Sequence, residues 1–480
     1  MLFNSIDFAL FLPIVFLFYW FVFNKSIKGQ NIFIVIASYV FYAWWDWRFL
    51  SLIFFSTAVD YFIGLKLSKT ANEKNRRFLL LTSILVNLGL LGYFKYTNFF
   101  LENFIQAFTL FGGKLGYSSL EIILPVGISF YTFQTLSYTI DIFKRELEPT
   151  KHFISFMAFV CFFPQLVAGP IERAKKLLPQ FESKRVFNHG KAVDGLKQVL
   201  WGLFKKMVIA DNCALYVDEF FANYDVYSGS TLLLGAFFFT IQIYCDFSGY
   251  SDIAIGVSRL FGFNLSKNFA FPYFSRNISE FWRRWHISLT TWFKDYFYIP
   301  LGGSRGSKMM QLRNTFLIFI VIGFWHGAAW KFIVYGFINA LHFVPLILIG
   351  KKREKRPYSN SLFPSMVDTI GILKTFAFLV LVRVFFRAKD LQVAWGYLSR
   401  IFSESLFNIP EFSNRVGAAL LVGIIVFFTI IEWSGKNKEY AIETLGGEWK
   451  RSYRWTFYYG LVFCIFYFYA KPQQFIYFQF

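Results

Sequence analysis

A helix needs about twenty apolar residues in a row to cross the hydrocarbon core of a bilayer. Apolar runs near or at that length recur along this chain, and no other feature constrains its fold as tightly. They cover Ile6 to Phe23, Ile32 to Trp45, Phe49 to Leu67, Phe78 to Asn98, Ile122 to Phe143 and Leu232 to Phe247. Further along come Thr315 to Phe332, Tyr335 to Ile349, Val367 to Phe386, Val416 to Trp433 and Trp455 to Ala470. Lipid offers backbone polar groups no partner, so such segments must close their hydrogen bonds internally, as helices. Only 16% of the residues are charged, against about 25% in soluble proteins. The chain therefore predicts an all-α polytopic membrane protein in which no sizeable soluble domain fits.

The net charge of +20 lies in short loops between these runs, which points to the positive-inside bias and to anionic membrane lipid rather than to nucleic acid. Lys25 and Lys28, Lys66 to Arg77, Lys144-Arg145 and the dense run Lys351 to Arg356 then mark the cytoplasmic side, with the N-terminus outside. Phe99 to Leu120, and the loop carrying Asp218, Glu219 and Asp225, lack that positive charge and read as external. Asp141 ends a span on the cytoplasmic side, where a carboxylate reaches water. Lys191 to Val208 is amphipathic and either lies on the surface or begins a crossing. Asp246 and Asp252, near the end of another span, fit an active site or simple interface solvation and helix capping equally well.

Two stretches break the pattern of plain crossings. Phe153 to Gly169 is apolar, contains Pro164, and has basic residues at both ends; it reads as re-entrant, lining a cavity that satisfies its irregular backbone. Phe281 to Phe297 mixes aromatic residues with Arg and Lys at roughly helical spacing, the pattern of an interfacial helix. The four cysteines have no metal-ligand spacing and read as buried free thiols.

The five histidines separate by setting. His152 and His189 fall in charged loops. His342, in an apolar run, reads as a core histidine bonded to a neighbouring helix. His326 is different, because Gly327, Ala328 and Ala329 beside it let a helix or a ligand approach closely. At ~1.5 Å per residue it lies ~16 Å from Thr315, near the bilayer midplane. Apolar surroundings keep the ring neutral, as a general base must be before it takes a proton; a structural hydrogen bond between helices accounts for it equally well. His286 follows Arg283 and Arg284, and its setting alone describes an interfacial residue. No nucleophile elbow, phosphate-binding loop or dinucleotide fingerprint occurs, so histidine chemistry here needs a substrate hydroxyl as the nucleophile.

The segments Phe281 to Gly303, with Arg284-Trp285-His286, and Gly323 to Trp330, with Trp325-His326-Gly327, resemble the signature of the membrane-bound O-acyltransferase (MBOAT) family. The similarity is closest to the membrane subunits that acetylate alginate, other polysaccharides or peptidoglycan, and it extends to Phe163 to Arg173 and Tyr244 to Gly256. The resemblance implies a helical funnel with re-entrant segments and a through-membrane tunnel, built as one domain over 1–480. Within it, 1–120 would be peripheral spans, about 121–350 the catalytic core, and 351–480 the C-terminal spans. It assigns catalysis to His326 as base and to His286 as a group that positions or polarises the donor. Trp325, Asp295, Arg284 and Trp282 follow as substrate-binding residues. No bound cofactor or metal is implied. The donor would be a cytoplasmic acyl thioester, acetyl-CoA or another, and the acceptor an extracytoplasmic hydroxyl. A periplasmic or extracellular SGNH-type acetylase would be the partner, and the bacterial inner membrane the location. A glycan or lipid-linked-precursor transporter is the rival, but the inverted internal symmetry expected of one is not visible in the sequence. A scaffold that recruits a separate acetylase is a third possibility, and it would tolerate loss of both histidines.

Overall fold

A computed structural model of the chain describes residues 1–110, 120–167, 169–350, 363–469 and 473–476. Every regular element among them is helical, with no strand. Six helical stretches are long and apolar enough to cross a membrane: Ile27–Lys69, Glu73–Leu110, Gly229–Leu260, Trp330–Ile349, Met366–Arg387 and Arg415–Ser434. The chain is thus an all-α, multi-pass membrane protein. Short polar side chains set where several helices begin. Ser26, Asn72, Ser307 and Ser365 each accept a hydrogen bond from a first-turn N–H, which an apolar residue in that place would leave without a partner.

Contacts divide the chain into two compact units, residues 1–192 with 257–266, and residues 193–256 with 267–480. In the first, the helices Leu50–Lys69, Glu73–Leu91 and Ile128–Phe143 share a buried polar core. Asp60 accepts from Ser83 Oγ at 2.5 Å and Asn87 Nδ2 at 2.7 Å, while Asn87 Oδ1 accepts from Ser56 and Thr135. Hydrogen bonds of this kind join spans that the hydrophobic effect cannot drive together inside lipid. The stretch from Phe153 forms two short helices, Phe153–Cys161 and Phe163–Leu166, broken at Phe162 just ahead of Pro164. The longer has 9 residues and rises only ~14 Å, too little to cross, and protein encloses both. That is the broken, enclosed backbone a re-entrant segment requires.

Several expectations for this unit change. Of the segment expected to lie outside, Thr97–Leu110 is helical, with Phe100, Phe104 and Phe108 at helical spacing, and residues 111–119 lie outside the described residues. The helix expected from Ile122 starts only at Ile128, since Pro125 and the left-handed Gly127 (φ 75°) hold the chain out of it. Asp141 is buried in protein instead of reaching water.

The second unit also departs from its sequence pattern. Gly229–Leu260 is one helix of 32 residues, so Asp246 and Asp252 lie within it and neither caps an end. From the π-helical turn Phe204–Ala210, Lys205 reaches Asp252 at 2.5 Å, and Lys206 reaches Asp246 at 2.7 Å and Asp211 at 2.8 Å. Both lysines are buried, not on a surface. Asp218 sits in the helix Asp211–Ala222 and pairs with Arg387 at 2.6 Å, so the proposed loop is helical there. His342 is exposed on its helix with its ring 4.1 Å from that of Phe378, not a core residue. The basic run Lys351 to Arg356 lies outside the described residues, as do Ala168 and Ala470.

Candidate active site

The helix Lys308–His326 ends at His326, and Trp330–Ile349 returns alongside it. The expected continuous span from Thr315 to Phe332 is therefore a helical hairpin, and His326 stands at its bend. Two glycines bring the arms together. A Cβ on Gly323 would meet the Phe332 carbonyl oxygen at 2.2 Å, and one on Gly336 would meet that of Phe319 at the same distance. His326 is buried, with its ring edge-on to Phe386 at 5.2 Å. The carbonyl end of a helix favours positive charge, so the place suits a ring that gains a proton.

His286 lies at the second break. The Phe281–Phe297 stretch is not one interfacial helix; it forms Ile278–Arg284, Ile287–Phe293 and the π-helical turn Lys294–Tyr298. His286 separates the first two in a left-handed conformation, φ 44° and ψ 55°. That conformation costs a residue with a Cβ about 1–2 kcal/mol. Two backbone hydrogen bonds hold it, Ile287 N–H to the Asn268 carbonyl and Ala270 N–H to the Arg284 carbonyl, each 2.9 Å. The break turns Phe281, Trp282, Trp285 and His286 into the interior, so the segment is largely buried rather than interfacial.

Trp325 brings the two histidines into one cluster. Its ring centroid lies 6.2 Å from that of His286 and 5.0 Å from that of His326. Burial, reinforced by the charge the nearby His326 can carry, holds the His286 ring well below the usual histidine range.

Asn268 fixes the state of His286 further. The Asn268 Oδ1 accepts from Ser288 N–H at 3.3 Å and Ser288 Oγ at 2.9 Å, and it faces His286 Nδ1 at 3.1 Å. A backbone N–H can only donate, so the atom facing the ring is an oxygen and His286 Nδ1 carries the proton. In the neutral ring the lone pair is then on Nε2. The Asn268 amide donates in turn to Ser251 Oγ at 3.1 Å.

Behind the cluster, buried Arg383 lies 4.5 Å from the centroid of the Trp285 ring, next in sequence to His286. It donates to Tyr273 Oη and the Thr240 carbonyl oxygen. Neither Asn268 nor Arg383 was picked out from sequence. Arg383 had a signal, a lone cation in the run Phe378 to Phe386, where lipid cannot solvate it. Asn268 had none.

The other expected residues divide. Trp282 lines a cavity of 810 Å³ with Ser279, Arg283, Lys294, Phe319 and Ile322. Trp282 and Ile322 each precede one of the two histidines by four positions, though neither histidine is part of that wall. Arg284 is committed to Glu280 at 2.6 Å and to the Ala270 carbonyl oxygen at 3.3 Å. Burial opposes the charge on Glu280, but Arg276 and Arg284 outweigh it and hold its carboxyl below the usual range. Asp295 is half-buried in the π-helical turn whose neighbours Lys294 and Tyr298 line the cavity.

The sequence model of MBOAT, the membrane-bound O-acyltransferase family, matches residues 143–363, which include both histidines. A probable alginate O-acetylase, AlgI, of Pseudomonas aeruginosa is 39% identical over 444 residues, covering 92% of this chain and 82% of the relative. The chain belongs to the MBOAT family. A peptidoglycan O-acetyltransferase of Helicobacter pylori is 34% identical across 100% of this chain and 98% of its own length. More distant is a teichoic acid D-alanyltransferase of Bacillus subtilis, 28% identical over 46% of this chain and 58% of the relative. This MBOAT protein is accordingly a membrane O-acyltransferase, an enzyme that transfers an acyl group to a hydroxyl.

Proposed function

We propose that this MBOAT enzyme, set in a bacterial inner membrane, moves an acetyl group from cytoplasmic acetyl-CoA to an extracytoplasmic hydroxyl. The acceptor is a polysaccharide hydroxyl, or the serine of an SGNH-type partner acetylase that completes the transfer. The names of two relatives, one of them an alginate and the other a peptidoglycan acetylating enzyme, support a polysaccharide destination. The observation that carries the reading is the buried His286–Trp325–His326 cluster at two helix breaks.

His326 takes the proton of the acceptor hydroxyl as its oxygen attacks the thioester carbonyl. The C–O bond forms, the tetrahedral intermediate collapses, and the C–S bond breaks. The departing thiolate then takes the proton back from the His326 imidazolium. His286, whose Nδ1–H donates to Asn268 Oδ1, presents Nε2 as an acceptor while neutral. It therefore orients a donor group of a substrate rather than polarising the carbonyl. As the general base, His326 would be worth about 10²–10⁴-fold in rate. Trp282 and the cavity it lines would seat the acyl carrier, with Arg283 and Lys294 as its cationic groups. The test is incubation of the purified protein with labelled acetyl-CoA and candidate acceptors, with and without SGNH-type partners. Label in the polymer, or on the partner's serine, supports the reading; transport of a glycan with no acyl transfer refutes it.

A further inference from the structure

A second pocket belongs wholly to the first unit and has no part in the acyl-transfer chemistry. It has a volume of 890 Å³ and is lined by Ile27, Lys28, Asn31, residues 151–155 and Glu182. Two helix N-termini meet there, those of Ile27–Asp46 and Phe153–Cys161. Ser26 caps the first, whereas no side chain caps the second, so its first-turn N–H groups remain open to an anion. Lys28, Lys151 and His152 stand exposed around it.

The floor supplies an independent sign of a ligand. Asn31 is 1% exposed, and its Nδ2 donates to the Phe181 carbonyl oxygen at 2.8 Å and to Ser155 Oγ at 3.1 Å. The carbonyl fixes which end of the amide is nitrogen. Its Oδ1 is then a buried acceptor with no hydrogen-bond partner among the described residues. Buried polar atoms in native proteins nearly always have one. Glu182 places a carboxylate in the same wall. The pocket thus offers cations and open N–H groups for a phosphate, and acceptors for a donor group beside it.

The surroundings favour a lipid over a soluble ion. The Phe153 ring, at the pocket edge, is 6.4 Å from Phe62 and 6.3 Å from Phe54, both exposed on the apolar span Leu50–Lys69. An apolar strip therefore leads away from the basic groups Lys28 and Lys151, as acyl chains lead away from a headgroup.

We propose that this pocket binds a phospholipid headgroup. The phosphate lies against Lys28, Lys151 and the uncapped helix start, the headgroup's hydroxyl or ammonium donor reaches Asn31 Oδ1 and Glu182, and the acyl chains follow Phe153, Phe62 and Phe54. Native mass spectrometry of the purified full chain tests this, titrated separately with phosphatidylglycerol, phosphatidylethanolamine, phosphatidylcholine and glycerol phosphate. The first two should bind tightest, because the choline group has no N–H or O–H to give. The double variant Lys28→Ala/Lys151→Ala should weaken the first bound lipid by roughly tenfold, as loss of charge-assisted contacts does, and Lys28→Arg/Lys151→Arg should retain it. Undiminished lipid binding by the alanine variant overturns the proposal. So does phosphatidylcholine binding as well as phosphatidylethanolamine, or glycerol phosphate binding as well as the lipids.

Discussion

Asn268 offers the sharpest test of how His286 is held. Replacing it with Leu keeps the approximate volume and removes the oxygen that faces His286 Nδ1, Ser288 N–H and Ser288 Oγ. All three lie in buried residues, and a buried donor left unmade costs about 1–3 kcal/mol. If one such term falls on the His286 orientation, turnover should drop about tenfold to a hundredfold at about 1.4 kcal/mol per decade. The companion variant Asn268→Asp keeps the acceptor and adds a negative charge, which favours the imidazolium. It should retain more turnover than Asn268→Leu and move the acidic limb of the pH–rate profile to higher pH. The assay is release of free thiol from acetyl-CoA by purified protein, with acceptor present, over a pH series, beside melting curves for both variants. Parental turnover in Asn268→Leu would refute the argument. Equal losses in both variants with an unmoved pH profile would do the same, reducing Asn268 to packing.

Other outcomes follow from the same structure. Lys206→Met strands Asp211 and Asp246 in the interior and should destabilise the protein by about 3–5 kcal/mol, seen as a lower melting temperature in detergent. Gly323→Ala places a Cβ 2.2 Å from the Phe332 carbonyl oxygen, and should cost about 1–3 kcal/mol and lower turnover by shifting His326. Because His286 is held below the usual histidine range, the unfolded chain binds more protons than the native one below about pH 6.5. Stability should therefore fall as pH drops through that range, and His286→Gln should show a shallower fall in denaturation measured from pH 7 to pH 5.

What the sequence made legible, and what it hid, follows from the range of the interactions. Apolar runs and caps are local, so the spans ending near Lys69, Arg387 and Ser434 could be read within a few residues. The pairing of His286 with His326 became visible through resemblance, because their motifs carry a joint pattern forty positions apart. Contacts made over distance left no such trace. Lys205 and Lys206 look like the polar face of an amphipathic helix until Asp252 and Asp246 are found beside them. Apolar character also concealed two backbone breaks. Nothing in Trp285-His286-Ile287 announces a left-handed residue, and Gly327-Ala328-Ala329 reads as readily as a packing face as the bend it forms.

The central claim is that the imidazole at the hairpin bend takes the acceptor's proton. The most direct measurement is acetyl transfer from labelled acetyl-CoA by His326→Ala, purified beside the parent and matched for amount and melting temperature. The account predicts a loss of at least about a hundredfold, the lower end of what a general base supplies. Transfer within a few-fold of the parent, at equal protein level, would contradict it.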